Sequence, residues 1–399
     1  MSVTGDIANR HMLPASGLAD ASKSDMVSVR VVVDDVWARS ISGQLLASCL
    51  INLLCRQVGL ISRIEIVAAP APTLISLPGV AEPEPFPACL ARLARWAVQD
   101  RITIAIGATD AEFDYKVVVG GAGADHSAAR HELVAIGDGW RAWLGEPLRA
   151  PKHVSAGSKN PLGPFFAATL AAGEIFKRSR GILRGRYLVA AGYSLWSGLS
   201  SDEWERLENG PELAGLSLPP THIAGGGAVG NGLAYIIAYA QFADAYVIPI
   251  DDDSYDDTNL NRCVLAGWDD QEDNKVDAIA RMLHATNVAV FPFAGSIKEY
   301  VTDPKNGLRS DIAAKVNQLE FDIVVSCVDK GTSRQDIQGL WPNLLLGGST
   351  LDLQAKANLY GAWPGAACLG ACAGNDEHGC FRCGWPEKDH GFTLSSLRA

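Results

Sequence analysis

The chain reads Gly225-Gly226-Gly227-Ala228-Val229-Gly230, then Asp251-Asp252-Asp253 beginning 21 residues after the last of these glycines, then Asn259-Leu260-Asn261-Arg262, and finally Lys275. Glycines in such a turn let a backbone approach phosphates, and a carboxylate at the end of the next strand binds ribose hydroxyls. Many nucleotide-binding folds share that much. The later residues are rarer: an amide, a guanidinium and an ammonium just beyond the ribose carboxylate suit a triphosphate better than a nicotinamide cofactor. The turn follows a strand ending at Ala224 and opens a helix, whose N-terminal amides and dipole favour a negative phosphate. Asp251 and Asp253 lie two apart at a strand end, so both carboxylates are expected on one side, bracketing a ribose or a magnesium ion.

Outward from this stretch, elements alternate. The turn opens a helix expected through about Ala243, and the next strand is Ala245–Ile250. A helix from about Asn274 to Ala285, the strand Val288–Phe293, the helix Leu308–Leu319 and the strand Phe321–Cys327 follow. Asp329 stands just past that last strand, at the carboxyl edge where doubly wound sheets bind ligands, and is the magnesium candidate. The first half repeats the plan: the β-branched run Ser28–Val33, an apolar helix from about Ile41 to Val58, and the strand Arg63–Val67. A proline-rich loop, a helix over Ala88–Val98, the strands Ile102–Ile106 and Lys116–Val119, and a helix over Phe165–Lys177 complete it. The fold class expected is α/β, with two Rossmann-like doubly wound units in one chain. The boundaries expected are a flexible lead-in at 1–26, a first domain at 27–180, an irregular connection at 181–220 and a second domain at 221–399. The first half has no glycine turn: Val33-Asp34-Asp35-Val36-Trp37-Ala38-Arg39-Ser40 puts acids and bulky residues where a phosphate needs bare backbone. It reads as a degenerate copy, or as an unrelated α/β domain.

Composition bounds the rest. The 399 residues suffice for two ordinary domains, at ~100–200 residues each. They are 48% hydrophobic and 20% charged, and the formal charge of −11 argues against broad nucleic-acid binding, which needs clustered Lys and Arg. No apolar run is long enough to span a bilayer and the lead-in lacks the apolar core of a secretory signal, so the expectation is a cytoplasmic protein free of membrane. Cys49, Cys55, Cys89, Cys263 and Cys327 are scattered in mostly apolar contexts, as buried thiols are. Cys368, Cys372, Cys380 and Cys383 fall within 16 residues, spaced Cys-x3-Cys-x7-Cys-x2-Cys, which in a reducing compartment points to metal or chemistry before disulfides. A four-thiolate zinc site is one reading.

Gly225–Gly230, Asp251-x-Asp253, Thr258-Asn259-Leu260-Asn261-Arg262, Lys275 and Val328-Asp329 with Arg334 together resemble the adenylation domain of ThiF, MoeB and the ubiquitin-activating enzymes, over roughly residues 221–383. The resemblance implies ATP- and magnesium-dependent adenylation of the C-terminal glycine of a ubiquitin-like or sulfur-carrier protein. It implies that Gly225, Gly227 and Gly230 line the nucleotide turn, that Asp251 binds ribose hydroxyls, that Asn259, Arg262 and Lys275 contact the triphosphate, and that Asp329 holds magnesium. Attack of a carboxylate on the α-phosphate brings two anions together and expels pyrophosphate, so fixed cations belong there. The family works in pairs, as homodimers or as an inactive copy beside an active one that sends an arginine into the ATP site. Arg178, Arg180, Arg184 and Arg186 are the candidates for such an arginine. Relatives also place a thioester nucleophile soon after a segment similar to Trp363-Pro364-Gly365-Ala366-Ala367-Cys368, which makes Cys380, then Cys368, the candidate and adds a conjugating enzyme as a partner. That role competes with zinc for the same cysteines. The family usually carries Asp-Asn where this chain has Asp329-Lys330. Two other enzyme readings stay open: adenylation of a peptide or sulfur carrier without a thioester, and a Rossmann-type NAD-dependent oxidoreductase, which gives no reason for Asn259, Arg262 and Lys275. A non-catalytic nucleotide-binding scaffold is the rival from another class.

Overall fold

β-Branched and apolar runs form two sheets in the computed structural model, which describes residues 26–82, 84–121, 129–182, 186–302, 323–338, 342, 344–351 and 354–360. The chain divides into two compact units. The first is built from the chain up to Gly215 with Tyr235–Gln241 and Asp256–Gln271, and the second from Leu216–Ala234, Phe242–Tyr255 and the chain from Glu272 onward. Among the described residues no helix is long and apolar enough to cross a membrane.

In the first unit the elements are β1 (Val27–Val33), the short α1 (Asp35–Ala38), α2 (Ile41–Cys55), β2 (Ile61–Ala68), α3 (Phe86–Val98), β3 (Thr103–Ile106), β4 (Phe113–Val119), β5 (Ala129–Asp138), β6 (Arg141–Gly145), α4 (Leu162–Ser179), β7 (Ala190–Ser194) and β8 (Ser200–Ser201). They build an eight-stranded sheet in the order β3-β2-β1-β4-β5-β6-β7-β8. Pairing is parallel from β3 to β5 and antiparallel from β5 to β8. Ser40 starts α2 by accepting the Gly43 amide on its hydroxyl at 3.0 Å. Nearly every side chain of α2 is buried, as expected for a helix that is apolar all round. β5 to β8 were not expected from the sequence, and β7 and β8 fall within the stretch read as irregular. These strands are short or begin on charged residues, and β5 and β6 are joined through Gly139 at φ 65°, so no long alternating run announces them.

The second unit holds β9 (Ser217–Ala224), α5 (Ala228–Tyr239, whose last residues belong to the first unit), β10 (Asp244–Asp251), α6 (Lys275–His284), β11 (Val288–Val290), β12 (Phe293–Ala294), α7 (Ile297–Thr302), β13 (Ile323–Ser326), α8 (Gly331–Gln338), β14 (Leu344–Leu351) and β15 (Gln354–Tyr360). Its seven-stranded sheet runs β11-β10-β9-β13-β14-β15, with β12 beside β10. All pairs are parallel except β14 with β15. β9 begins before the expected start at Thr221, and the ladder to β10 shifts register across Pro219-Pro220, where two residues without an N–H cannot donate. The α7 helix was not expected, and the expected helix over 308–319 lies outside the described residues. Ile248, Ile250, Val324 and Leu345 from the sheet pack with Ile297, Tyr300 and Ile337 from the helices.

The first six strands of the first unit follow the order 3-2-1-4-5-6, and the second unit repeats that order once the two-residue β12 is set aside; in each there are four parallel pairs and then an antiparallel last strand. This is the doubly wound order, whose ligand crevice lies at the carboxyl ends of the strands where the order reverses. In the second unit the register fixes that edge: Ala224 pairs with Ile250 on one side and Ser326 on the other. Gly225, Asp251 and Cys327 therefore emerge side by side.

Candidate nucleotide site

In the second unit the glycine turn is tied to its neighbours through backbone. Gly225 has φ +101°, a conformation an L side chain resists, and its amide donates to the Ile250 carbonyl at 2.8 Å. The Cys327 amide donates to the Ala224 carbonyl at 2.8 Å. Gly230 lies so close under the turn that a Cβ there would sit 1.9 Å from the Gly225 carbonyl oxygen. At Gly227 an added Cβ would meet nothing within 4 Å. The first amides of α5 have no intrahelical acceptor, and they follow directly on this open residue.

Asp251 closes the turn from β10. Its Oδ2 accepts the Gly226 amide at 2.5 Å and its Oδ1 accepts the Asp253 amide at 2.8 Å. Burial pushes its carboxyl above the usual carboxylate range. Two backbone donors fix the carboxylate plane and leave each oxygen further acceptor capacity for a ribose hydroxyl. One carboxylate oxygen from each of Asp251, Asp252 and Asp253 lies within 4.8 Å of the others. Asp253, however, is engaged by Lys275, whose Nζ lies 2.9 Å from its Oδ2 and whose amide donates to its carbonyl at 3.1 Å. Lys275 is the first residue of α6, behind the cap Asn274, and only 7% exposed. Its Cβ would lie 3.0 Å from a Cβ at Gly226, so glycine turn, carboxylate and ammonium converge at one edge of the sheet.

Asp329 is exposed two residues beyond Cys327. Val328 packs on Gly225, and Arg334 of α8 donates from Nε to the Val328 carbonyl at 3.1 Å, holding the turn that presents Asp329. An exposed carboxylate at the carboxyl edge of the sheet is of the kind that suits magnesium, a hard cation that takes one or two protein carboxylates and completes its shell with phosphate and water.

Asn259 and Arg262 belong to the first unit, in the segment Asp256–Gln271. Asp256 opens this segment by accepting the Asn259 amide (2.9 Å), the Thr258 hydroxyl (2.6 Å) and the Asn259 carboxamide. Arg262 donates from Nη1 to the Thr258 carbonyl at 2.6 Å and to Asn261 at 3.2 Å. In the second unit the ends of the excursion are pinned together: the Glu272 amide meets the Tyr255 carbonyl (2.9 Å), and the Tyr255 amide meets the Asp273 carbonyl (3.0 Å). Tyr255 also accepts on its hydroxyl from the fully buried Asn231 at 2.6 Å. Sequence reasoning passed over Asn231 and Tyr255. The available signal was an asparagine inside the otherwise apolar α5, where an unpartnered carboxamide is costly.

The corresponding places of the first unit are filled. Asp34 caps α1 by accepting the Val36 amide at 2.9 Å, and the indole of Trp37, 3% exposed, packs where a Cβ on Gly120 would be 2.2 Å away. β2 ends at Ala68 and is followed by Ala69-Pro70, with no carboxylate to hold a ribose. Of the arginines considered for reaching a nucleotide, Arg178 is spent on Glu174 (2.9 Å) and the Leu188 carbonyl (2.8 Å), Arg180 is buried, Arg186 is exposed, and Arg184 lies outside the described residues. Cys368, Cys372, Cys380 and Cys383 lie outside them too. Among the described cysteines, burial pushes the Cys49, Cys55 and Cys327 thiols up to about 12, so none of these three is a thiolate near neutrality.

Residues 220–396 match the ThiF family, and residues 28–191 match the BilD N-terminal domain. The C-terminal part of the chain is thus a ThiF-family domain. No curated protein matches the chain. Similar solved structures include E. coli MccB with ATP, 24% identical, with 46% of this chain and 50% of that one covered at a TM-score of 0.31. They also include E. coli MccB with MccA-N7isoASN, 25% identical, with 36% and 40% covered at a TM-score of 0.29. The chain thus spans half or less of those proteins' length.

Proposed function

We propose that this chain uses ATP to adenylate the C-terminal carboxylate of a ubiquitin-like or sulfur-carrier protein. The observation that carries the reading is the convergence of the Gly225–Gly230 turn, the twice-anchored Asp251 and the buried Lys275 at the carboxyl edge of a ThiF-family sheet. In this reading Gly225, Gly227 and Gly230 give the nucleotide bare backbone, Asp251 accepts from the ribose hydroxyls, Asn259 donates to the phosphates, and Arg262 and Lys275 neutralise them. Asp329 would hold magnesium, whose chemistry there would be further charge neutralisation on the phosphates. A carboxylate oxygen of the carrier attacks the α-phosphorus, a new P–O bond forms, the bond to the bridging oxygen breaks, and pyrophosphate leaves. Lys275 is suited to this step because its ammonium is already fixed beside Asp253, so little reorganisation accompanies the charge that develops.

The first unit supports this as a degenerate copy: it has the same strand order, with a tryptophan in place of the glycine turn and alanine-proline in place of the ribose carboxylate. A thioester step extends the reading. A thiolate at Cys380 attacks the acyl carbon, AMP leaves, and the acyl group passes to a conjugating enzyme, while a zinc site at the same four cysteines is the competing use. Mass spectrometry of candidate carriers and of short peptides after incubation with the protein, ATP and magnesium tests the substrate. An acyl-adenylate on a ubiquitin-like C-terminus is expected. An adduct on peptides alone would move the assignment to peptide adenylation, and none on either would refute it.

A further inference from the structure

The segment that carries Asn259 and Arg262 is packed as core of the first unit. Leu260, Cys263 and Ala266 are fully buried, and Val264 and Leu265 nearly so. Two polar side chains from the end of α2 meet its backbone. Arg56, 1% exposed, donates from Nη1 to the Leu260 carbonyl at 2.7 Å and from Nη2 to the Val264 carbonyl at 3.3 Å. Its Nε donates to Oδ1 of Asn52 at 2.8 Å, and Asn52 in turn donates from Nδ2 to the Val264 carbonyl at 3.0 Å. Trp96 of α3 lies beneath the guanidinium, 5.7 Å from the Arg56 carbon to the ring centre, and abuts Gly267, where a Cβ would be 2.3 Å from the indole nitrogen.

A buried guanidinium is costly to desolvate, and hydrophobic side chains hold two segments together without that cost. What the guanidinium adds is geometry: its planar fork fixes two carbonyls in one relative orientation, which neither an apolar side chain nor the single ammonium of lysine can do. The two carbonyls flank Arg262 in sequence. Fixing them fixes the turn in which Arg262 reaches back to the Thr258 carbonyl and Asn259 follows its Asp256 cap.

We infer that Arg56, braced by Asn52, is a positioning residue for nucleotide binding that acts through the Thr258–Arg262 turn. The inference rests on the nucleotide reading proposed above. The test measures the dissociation constant for ATP with magnesium, beside the thermal unfolding midpoint, in the native chain, Arg56→Lys, Arg262→Ala and the double variant. Losing hydrogen bonds from a charged donor weakens the affinity of folded Arg56→Lys by roughly tenfold. In the Arg262→Ala background the same change has an effect below about twofold, because the residue it positions is gone. Were Arg56→Lys not to fold, Asn52→Ala, which removes the brace and one donor to the Val264 carbonyl, takes its place in the cycle. A folded variant with native ATP affinity overturns the inference, as does a loss that is undiminished in the double variant, because Arg56 is then structural only. Arg262→Ala binding ATP as the native chain does overturns it as well, since nothing is left to position. A native chain that binds no ATP removes the nucleotide reading itself, and the inference with it.

Discussion

Gly227→Ala and Gly230→Ala differ by three residues in one turn and have opposite expected outcomes. At Gly227 the added methyl meets nothing within 4 Å, and the residue is not among the glycines with positive φ. The substitution leaves the fold intact, and the stiffer unfolded chain contributes about 0.4–1 kcal/mol of stability. At Gly230 the methyl would stand 1.9 Å from the Gly225 carbonyl oxygen, so the turn and α5 must separate. Overpacking of that kind costs about 1–3 kcal/mol. If the second unit unfolds on its own, the cost appears as a fall of several degrees, at roughly 2–4 °C per kcal/mol for a unit of about 150–250 residues. Binding reverses the ranking of interest. If the open space over Gly227 is where phosphates lie against bare backbone, Gly227→Ala weakens ATP binding by at least about tenfold, equivalent to ~1.4 kcal/mol, in a protein as stable as the native one. Thermal unfolding and equilibrium dialysis with labelled ATP read both quantities on one preparation. Native ATP affinity in Gly227→Ala would refute the reasoning, because the space would not then be the nucleotide's.

Asp329→Asn leaves stability unchanged, since the side chain is exposed, and raises the magnesium concentration needed for half-maximal adenylation by roughly tenfold; an unaltered magnesium titration removes Asp329 from the metal. Burial lowers the pKa of His222 to about 4 from 6.5. The unfolded state therefore binds the extra proton between those values, so stability is complete above about pH 6.5 and lost as the pH falls toward 4, by about 2 kcal/mol between pH 7.5 and 5. His222→Gln should lose that much less over the same interval in urea titrations, and an equal loss in both proteins contradicts a buried neutral imidazole. If Cys380 is the thioester nucleophile, a reducing-agent-sensitive carrier adduct persists in Cys368→Ala and vanishes in Cys380→Ala. One equivalent of zinc lost from either variant, with no adduct in the native chain, assigns the cysteines to the metal instead.

The parallel core of both sheets was legible because buried parallel strands read as apolar runs, as in Val31–Val33 and Val247–Ile250. The antiparallel additions were not. β6 has five residues and β8 two, too short for periodicity, and β7 is Ala-Ala-Gly-Tyr-Ser, which carries none of the usual strand residues except tyrosine. Gly225 after β9, Asp251 at the end of β10 and Lys275 at the start of α6 stand where the sequence put a strand end, a second strand end and a helix start, because these recur at regular intervals in a doubly wound unit. The pairing of Lys275 with Asp253 could not be read from spacing, since it depends on how the Asp253 backbone meets the start of α6. Arg56 and Asn52 were invisible for a different reason: they act on segments more than 200 residues away, and no local pattern marks a long-range contact to a carbonyl.

Adenylation is tested most directly by ATP–pyrophosphate exchange in the presence of a ubiquitin-like carrier, compared between the native chain and Arg262→Ala. The account predicts carrier-dependent exchange by the native chain and a severe loss in Arg262→Ala, with the unfolding midpoint retained. Absence of exchange with every carrier, together with tight binding of a nicotinamide dinucleotide, would contradict it.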